Sequence, residues 1–498
     1  MSDRTNKDKH QEVFEERLSR ETRPPNGQRL ILHSLRFAEV IQVNDFEKLE
    51  KGLDLLYEET LKNKNTYTVS SEQENYRNFI AEARRAFLSS GWVNLQGFVS
   101  KSFADSHKKG IITRPVRELP SGVESLSFFM RQIIPSSIVV VAHVQYNSGI
   151  SDSLNELFTQ NYSERIEKHQ HGTRHIPPKR IKDETIRNFF LELQGASESF
   201  ISKYFTGAFL SEKTTEAQVQ CPSIRLFSLQ DIPFTSTQTL ITWIKEHGHF
   251  LDTFGYLPIP FLIYQFNNEY LLFRQPIYER RENPISLSLL SSESLFSAPE
   301  AHQMYGTAFS ALEYKYDMAF NNLMPIIAFN CLMLWHSRRA ISYRNNLDNF
   351  TTNIKSDLRK QYDSMCNAKI AINNDYFDFV RLRQELEYIT SPQMEKWLYE
   401  DAAKFEPLEN PKNLPHYAKD MVSNINFLTS NIGKEYSLLN ERYSDLFETM
   451  NTQSSFILNE SNIKYQKTLA RFTKVLVGLG VVMLLAVIIQ IIIGVQLK

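Results

Sequence analysis

The densest collection of chemically capable side chains lies between residues 168 and 182, where Lys168, His169, His171, Arg174, His175, Lys179 and Arg180 crowd a short stretch of chain. Three histidines within seven residues raise the question of a metal, since neutral imidazole is a common ligand. Their spacing matches no ligand pattern of known geometry, and the Lys and Arg among them would repel a cation. No metal and no other cofactor is expected. The same residues suit an anion better: a small phosphate, a nucleotide signal or the anionic face of a membrane. A solvated basic loop is the plainer alternative. A second basic pair, Arg280-Arg281, is flanked by Glu279 and Glu282, which largely cancel it.

Catalytic signatures are missing from the body of the chain. There is no GxSxG, no HExxH, no Walker loop and no glycine-rich nucleotide turn. The reading is therefore a protein that is not an enzyme, although catalytic residues scattered along a sequence leave no local trace. Cys221, Cys331 and Cys366 stand far apart, which fits neither a disulfide framework nor a zinc site and suits a reducing compartment. With a net charge of -1 over 498 residues, no general attraction to nucleic acid arises, and none is expected as a partner. The first 29 residues contain no apolar run of the kind that directs export.

One element is unambiguous in type. From Val475 to Val495 the chain carries no charge and a single polar amide, Gln490. Twenty-one helical residues rise about 31 Å, the thickness of a bilayer's hydrocarbon core. Lys464, Lys467, Arg471 and Lys474 precede this stretch and only Lys498 follows it. That asymmetry predicts a single-pass protein of the cell membrane with its N-terminal body in the cytoplasm. The sequons at Asn161, Asn349 and Asn459 would then never meet the glycosylation machinery. Gly478, Gly480 and Gly494 would permit close approach of another helix.

The body predicts an α+β or α/β domain followed by a helical layer, a long coiled-coil-like stalk helix and the transmembrane helix. A mobile tail over residues 1–27 ends at the turn Pro24-Pro25-Asn26-Gly27. Residues 28–298 mix strands with helices: apolar runs at Leu30–His33 and Ser137–Val144, a hairpin signature around Asn267-Asn268-Glu269, and helices over Asn75–Ser89 and Ile181–Phe205. Residues 299–405 are helical; they include the apolar stretch Leu323–Trp335, read as a core helix kinked or started near Pro325, and Tyr376–Ile389. Residues 406–416 hold three prolines and read as a linker.

From 417 to 474 apolar residues recur at Met421, Ile425, Leu428, Ile432, Tyr436, Leu439, Tyr443, Leu446, Met450 and Ile457, a heptad seam with one stutter. No proline separates it from the span, so one helix of roughly 120 Å is predicted. The seam suits a second copy, giving a homo-oligomer about the stalk, and equally the helical layer of its own chain.

This layout resembles that of the CorA-like metal-ion transporter superfamily, in which a cytoplasmic α/β domain leads through helices to a long stalk that enters the membrane. The resemblance rests on residues 417–474 and the span after them. It implies ion transport and an oligomer whose pore would be lined by Thr473, Gln490 and apolar residues, with Gly478 and Gly480 at close helix contacts. The family's Gly-Met-Asn signature and second span have no counterpart, so no ion ligand carries over. Two functions follow as expectations: a membrane-anchored sensor or effector acting on the membrane, and a tail-anchored scaffold or receptor whose body binds a protein or nucleotide.

Overall fold

The computed structural model describes residues 21–61, 69–85, 93–106, 115–169, 172–210, 221–253, 263–266, 270–273, 286–293, 308–352, 358–389, 405–409 and 417–496. They form two compact units, Met1–Ser337 with Asp378–Ile432, and Arg338–Phe377 with Gly433–Lys498. The described architecture is α+β.

The first unit is built on a nine-stranded sheet. Its strands are β1 (Ile31–Gln42), β2 (Val93–Val99), β3 (Val123–Ile134), β4 (Ser137–Tyr146), β7 (Ser223–Leu229), β8 (Ile263–Phe266), β9 (Tyr270–Phe273), β10 (Ser286–Ser292) and β11 (Glu406–Pro407). Their order is β11-β8-β9-β10-β7-β1-β4-β3-β2. Neighbours pair antiparallel throughout except β10 and β7, which run parallel. Two further strands, β5 (Arg165–His169) and β6 (Gly172–Ile176), make a separate antiparallel ribbon. β4 owes its place at the centre to the run Ile-Val-Val-Val-Ala, whose branched side chains fit a pleated surface buried on both faces. β8 and β9 pair as the hairpin signature predicts; the intervening Asn267-Asn268-Glu269 lies outside the described residues. Part of the predicted linker extends the sheet, since Glu406-Pro407 pairs with Gln265 and Tyr264 at its edge. An edge tolerates proline because one side of the strand needs no donor.

Shorter helices flank these strands: α1 (Phe46–Leu61), α2 (Val69–Arg84), α3 (Lys101–Ser106), α4 (Ser148–Thr159), α5 (Pro178–Ile201), α6 (Thr237–Glu246) and α7 (Gly248–Asp252). Strand alternation places Phe37, Ala142 and Phe128 side by side on one face of the sheet. There Phe128 meets Phe205 just beyond α5, and Phe190 of α5 packs edge-on against Phe227 of β7. The other face presents Arg36, His143 and Ser127 in one row, all buried.

Three long helices follow: α8 (Ala308–Thr352), α9 (Leu358–Ile389) and α10 (Tyr417–Gln496), each contributing to both units. α8 starts well before Pro325 and passes through it. Leu323 to Met333 is buried on every side, as a helix apolar all round must be. That burial offsets the roughly 3 kcal/mol a mid-helix proline costs. Asn330, the amide inside this apolar run, is fully buried and bonded: its amide donates to the Met421 carbonyl (3.3 Å) and its oxygen accepts from Asn424 (3.1 Å). In the second unit, Arg339 and Tyr343 of α8 converge on Asp375 of α9 at 2.6 and 2.5 Å. Tyr436 of α10 packs on Tyr376, and Lys369 lies over the Phe447 ring.

Candidate functional site

The basic cluster resolves into two elements. Lys168, Arg174 and His175 are exposed on the β5–β6 ribbon, while Lys179 and Arg180 open α5 immediately after Pro177-Pro178, where proline's fixed φ suits a helix start. The side chain of His169, and His171 altogether, lie outside the described residues. Acidic partners answer much of the charge. His175 Nδ1 is 2.7 Å from Glu164, Arg165 reaches Glu167 (3.0 Å) and Glu184 (3.5 Å), Arg180 reaches Glu184 (3.1 Å), and Lys179 pairs with Asp252. In the ribbon, Arg174 is opposite Glu167 and Lys168 is opposite Thr173. By strand alternation, Lys168 and Arg174 therefore do not share a face of the ribbon. His143 is not part of the cluster; it is buried in β4 opposite Arg36. Among the described residues, no group of three or more His, Cys, Asp or Glu is arranged to hold a metal ion.

Behind the cluster sits Lys182, whose burial no sequence pattern announces. Its ammonium, on α5, is buried and donates to the Thr22 hydroxyl (3.0 Å), the Thr22 carbonyl (3.3 Å) and the Phe158 carbonyl (2.7 Å). Burial, then the neighbouring charge of Arg23, pulls its pKa down to about 8. Burial likewise pushes Asp183 up to about 6. Three acceptors use all three ammonium protons, so Lys182 ties the chain at Thr22 to α4 and α5.

A second buried cluster carries acid. Glu39 of β1 accepts backbone N–H bonds from Val40 (2.8 Å), Phe209 (2.9 Å) and Leu210 (2.6 Å). Glu198 of α5 accepts from Gln194 Nε2 (2.7 Å) and from Cys221 N (2.9 Å). Burial pushes Glu39 up to about 8 and Glu198 to about 7, and raises the Cys221 thiol. Two carboxyls near neutrality resemble an acid–base pair; both oxygens of Glu39 accept main-chain N–H bonds, while Glu198 accepts from main chain and amide through one oxygen. Glu39 holds Phe209 and Leu210 to β1, and Glu198 holds Cys221 to α5.

The third candidate is α10 itself. Met421, Ile425 and Ile432 are buried within the first unit, and Tyr436, Leu439, Tyr443 and Met450 within the second. Leu428 and Leu446 are half-buried, so the seam up to Met450 is largely covered by the same chain. Beyond it the surroundings change abruptly. One C-terminal helix is long and apolar enough to cross a membrane: within Asn459–Ala486 the most apolar stretch has mean hydropathy 1.9, and none of it is buried. Nine large apolar side chains between Val475 and Leu485 are more than half exposed. Moving their exposed share into an apolar medium gains roughly 1–2 kcal/mol each, so on the order of 10 kcal/mol favours a bilayer over water. The helix satisfies its own backbone groups, the condition for crossing hydrocarbon.

Thr473 donates its hydroxyl to the Leu469 carbonyl of its own helix (2.9 Å). Gly478 and Gly480 have open space where a Cβ would stand. At about 100° per residue Thr473 and Gly480 share a face, whereas Gly478 and Gln490 each lie about 100–140° from Thr473. The side chain of Gln490 lies outside the described residues. Lys464, Lys467, Arg471 and Lys474 are all exposed. Comparison with family models, with curated proteins and with solved structures finds no match to this chain.

Proposed function

We propose that this chain is a single-pass membrane protein in which the C-terminal part of α10 is an anchor and the α+β body is a cytoplasmic scaffold or receptor. The observation that carries this reading is the change along one helix. The apolar seam is largely covered by the same chain as far as Met450, whereas the apolar side chains from Val475 to Leu485 are exposed, as a segment in lipid would have them. A helix whose seam is already covered needs no second copy to complete it. The four cations before the span and the single one after it favour retention of the body on the cytoplasmic side.

A second reading keeps the sensor or effector that acts on the membrane, with the CorA-like layout as its analogue. One observation favours it: α10 is unbroken from Tyr417 to Gln496, so a shift of the body would reach the span without a hinge. Size separates the two. The full chain in detergent is compared with one ending before Lys474. The anchor reading expects a full-length protein that resists alkaline carbonate extraction, and a truncated one that is soluble and of the same small assembly state. A ring-sized oligomer that disappears on truncation would overturn it in favour of the effector, and conductance would be measured next.

A further inference from the structure

We propose that Lys464, Lys467, Arg471 and Lys474 form a docking stripe for the headgroups of anionic phospholipids in the leaflet facing the body. This rests on the membrane reading above. Spacings of three, four and three residues place all four on one face of α10, within an arc of about 80°. All four are exposed, Glu460 is paired with Lys464 at 2.9 Å, and no Asp or Glu follows Glu460 as far as Lys498. The stripe is therefore positive from Lys467 to Lys474, with Lys464 answered by Glu460 at its far end, and is set directly against the span.

The remaining surface agrees with an interfacial position. Tyr465, Leu469 and Phe472 are 69%, 51% and 67% exposed. Their positions fall within about 60° of one another, on the side of the helix turned away from the stripe. A helix with cations on one side and aromatic or aliphatic groups on the other fits the boundary between headgroups and acyl chains. Lys474 and Arg471 stand within about 6 Å of the first residue of the span, the depth of the headgroup layer. Lys467 and Lys464 stand about 12 and 17 Å away; Lys467 remains near one Debye length of that layer and Lys464 lies at the limit. Arg471 can grip a phosphate through two N–H groups, and the lysines add point charge. An acidic peptide or nucleic acid would answer the same charge, but neither would explain why the stripe abuts the span.

The full-length protein is reconstituted in vesicles of equal phosphatidylcholine and phosphatidylglycerol, then extracted with mild detergent, and the retained lipids are weighed by mass spectrometry. Phosphatidylglycerol is expected to be enriched at least about fivefold, the factor for one cation near an anionic surface. The enrichment should fall in high salt and vanish in a K464Q/K467Q/R471Q/K474Q variant. A variant with the three lysines changed to arginine should keep it, which separates loss of charge from loss of fold. Arg471→Gln and Lys474→Gln should each cost more enrichment than Lys464→Gln. Retention at the bulk ratio, or enrichment that survives the quadruple variant, overturns the proposal. Carbonate extraction of the same vesicles identifies which reading has failed. A resistant protein with bulk-ratio lipid sinks only the headgroup stripe, whereas an extractable one sinks the anchor and the stripe together.

Discussion

Gly52 and Gly195 are both interior helix glycines, and the structure assigns them opposite responses to alanine. On a free helix Gly→Ala gains up to about 1 kcal/mol. At Gly52 of α1, an added Cβ would stand 1.7 Å from the Tyr204 carbonyl oxygen and 2.7 Å from its carbonyl carbon. Ordinary contact needs the oxygen roughly 1.5 Å further away than that, and the obstacle is main chain, which cannot rotate aside. Tyr204 is also held at its other end, where its hydroxyl donates to Glu59 at 2.5 Å, two turns along the same face of α1. Its backbone N–H is bonded to the Ile201 carbonyl at 2.9 Å. α1 must therefore lift off, at the upper end of the loss typical of overpacking, about 2 kcal/mol after the helix gain is subtracted. Around Gly195 of α5 no atom lies within 4 Å of the position an added methyl would take, so the gain should survive. Thermal unfolding of the full chain in detergent should show Gly52→Ala melting on the order of 2–4 °C lower and Gly195→Ala unchanged or slightly higher. Equal melting of the two variants, or a Gly52→Ala protein as stable as its parent, would refute the close approach.

Other perturbations test the buried charges and the span. Because Glu39 and Glu198 titrate at about 8 and about 7 in the folded protein against 4.5 when exposed, the native state holds protons that the unfolded chain has released. Stability should fall as pH rises from about 4.5 to about 8; a melting temperature flat or rising across that window would contradict it. Glu39→Gln puts an amide donor among three N–H donors and should lower stability by about 1–3 kcal/mol at about pH 6, with a shallower pH profile, read by denaturant unfolding. Lys182→Met removes the ammonium that bonds Thr22 and Phe158 and should speed proteolysis near residue 22, whereas an unchanged cleavage pattern would argue against the clamp. Val482→Arg, at a position exposed along the span, costs about 2.5–3.5 kcal/mol in a bilayer and should shift protein from the carbonate-resistant to the extractable fraction.

The elements legible in the sequence are those whose cause is local. An uninterrupted apolar run of bilayer length, the absence of proline from 417 to 496, the branched run in β4 and the two short runs of β8 and β9 each specify their own conformation, because periodicity and propensity act over a few residues. The basic residues of 168–182 are equally visible, and Glu184 stands one helical turn from Arg180, but the partners Glu164 and Asp252 can be found only once the chain is folded.

The tertiary structure decided what each visible pattern faces. The seam of α10 reads the same whether a second copy or its own chain covers it; packing buries most of it as far as Met450, and the described side chains beyond are exposed, that of Ile457 lying outside the described residues. Asn330 looks like a flaw in an apolar helix until Met421 and Asn424, some ninety residues away, supply its partners. Lys182, Glu39 and Glu198 carry no sequence signal at all, because burial of a charge depends on what long-range contacts place around it. Local rules determine which segments are helix, strand or span; the surroundings of a side chain are set by residues far off in the chain, and its proton affinity follows from those surroundings.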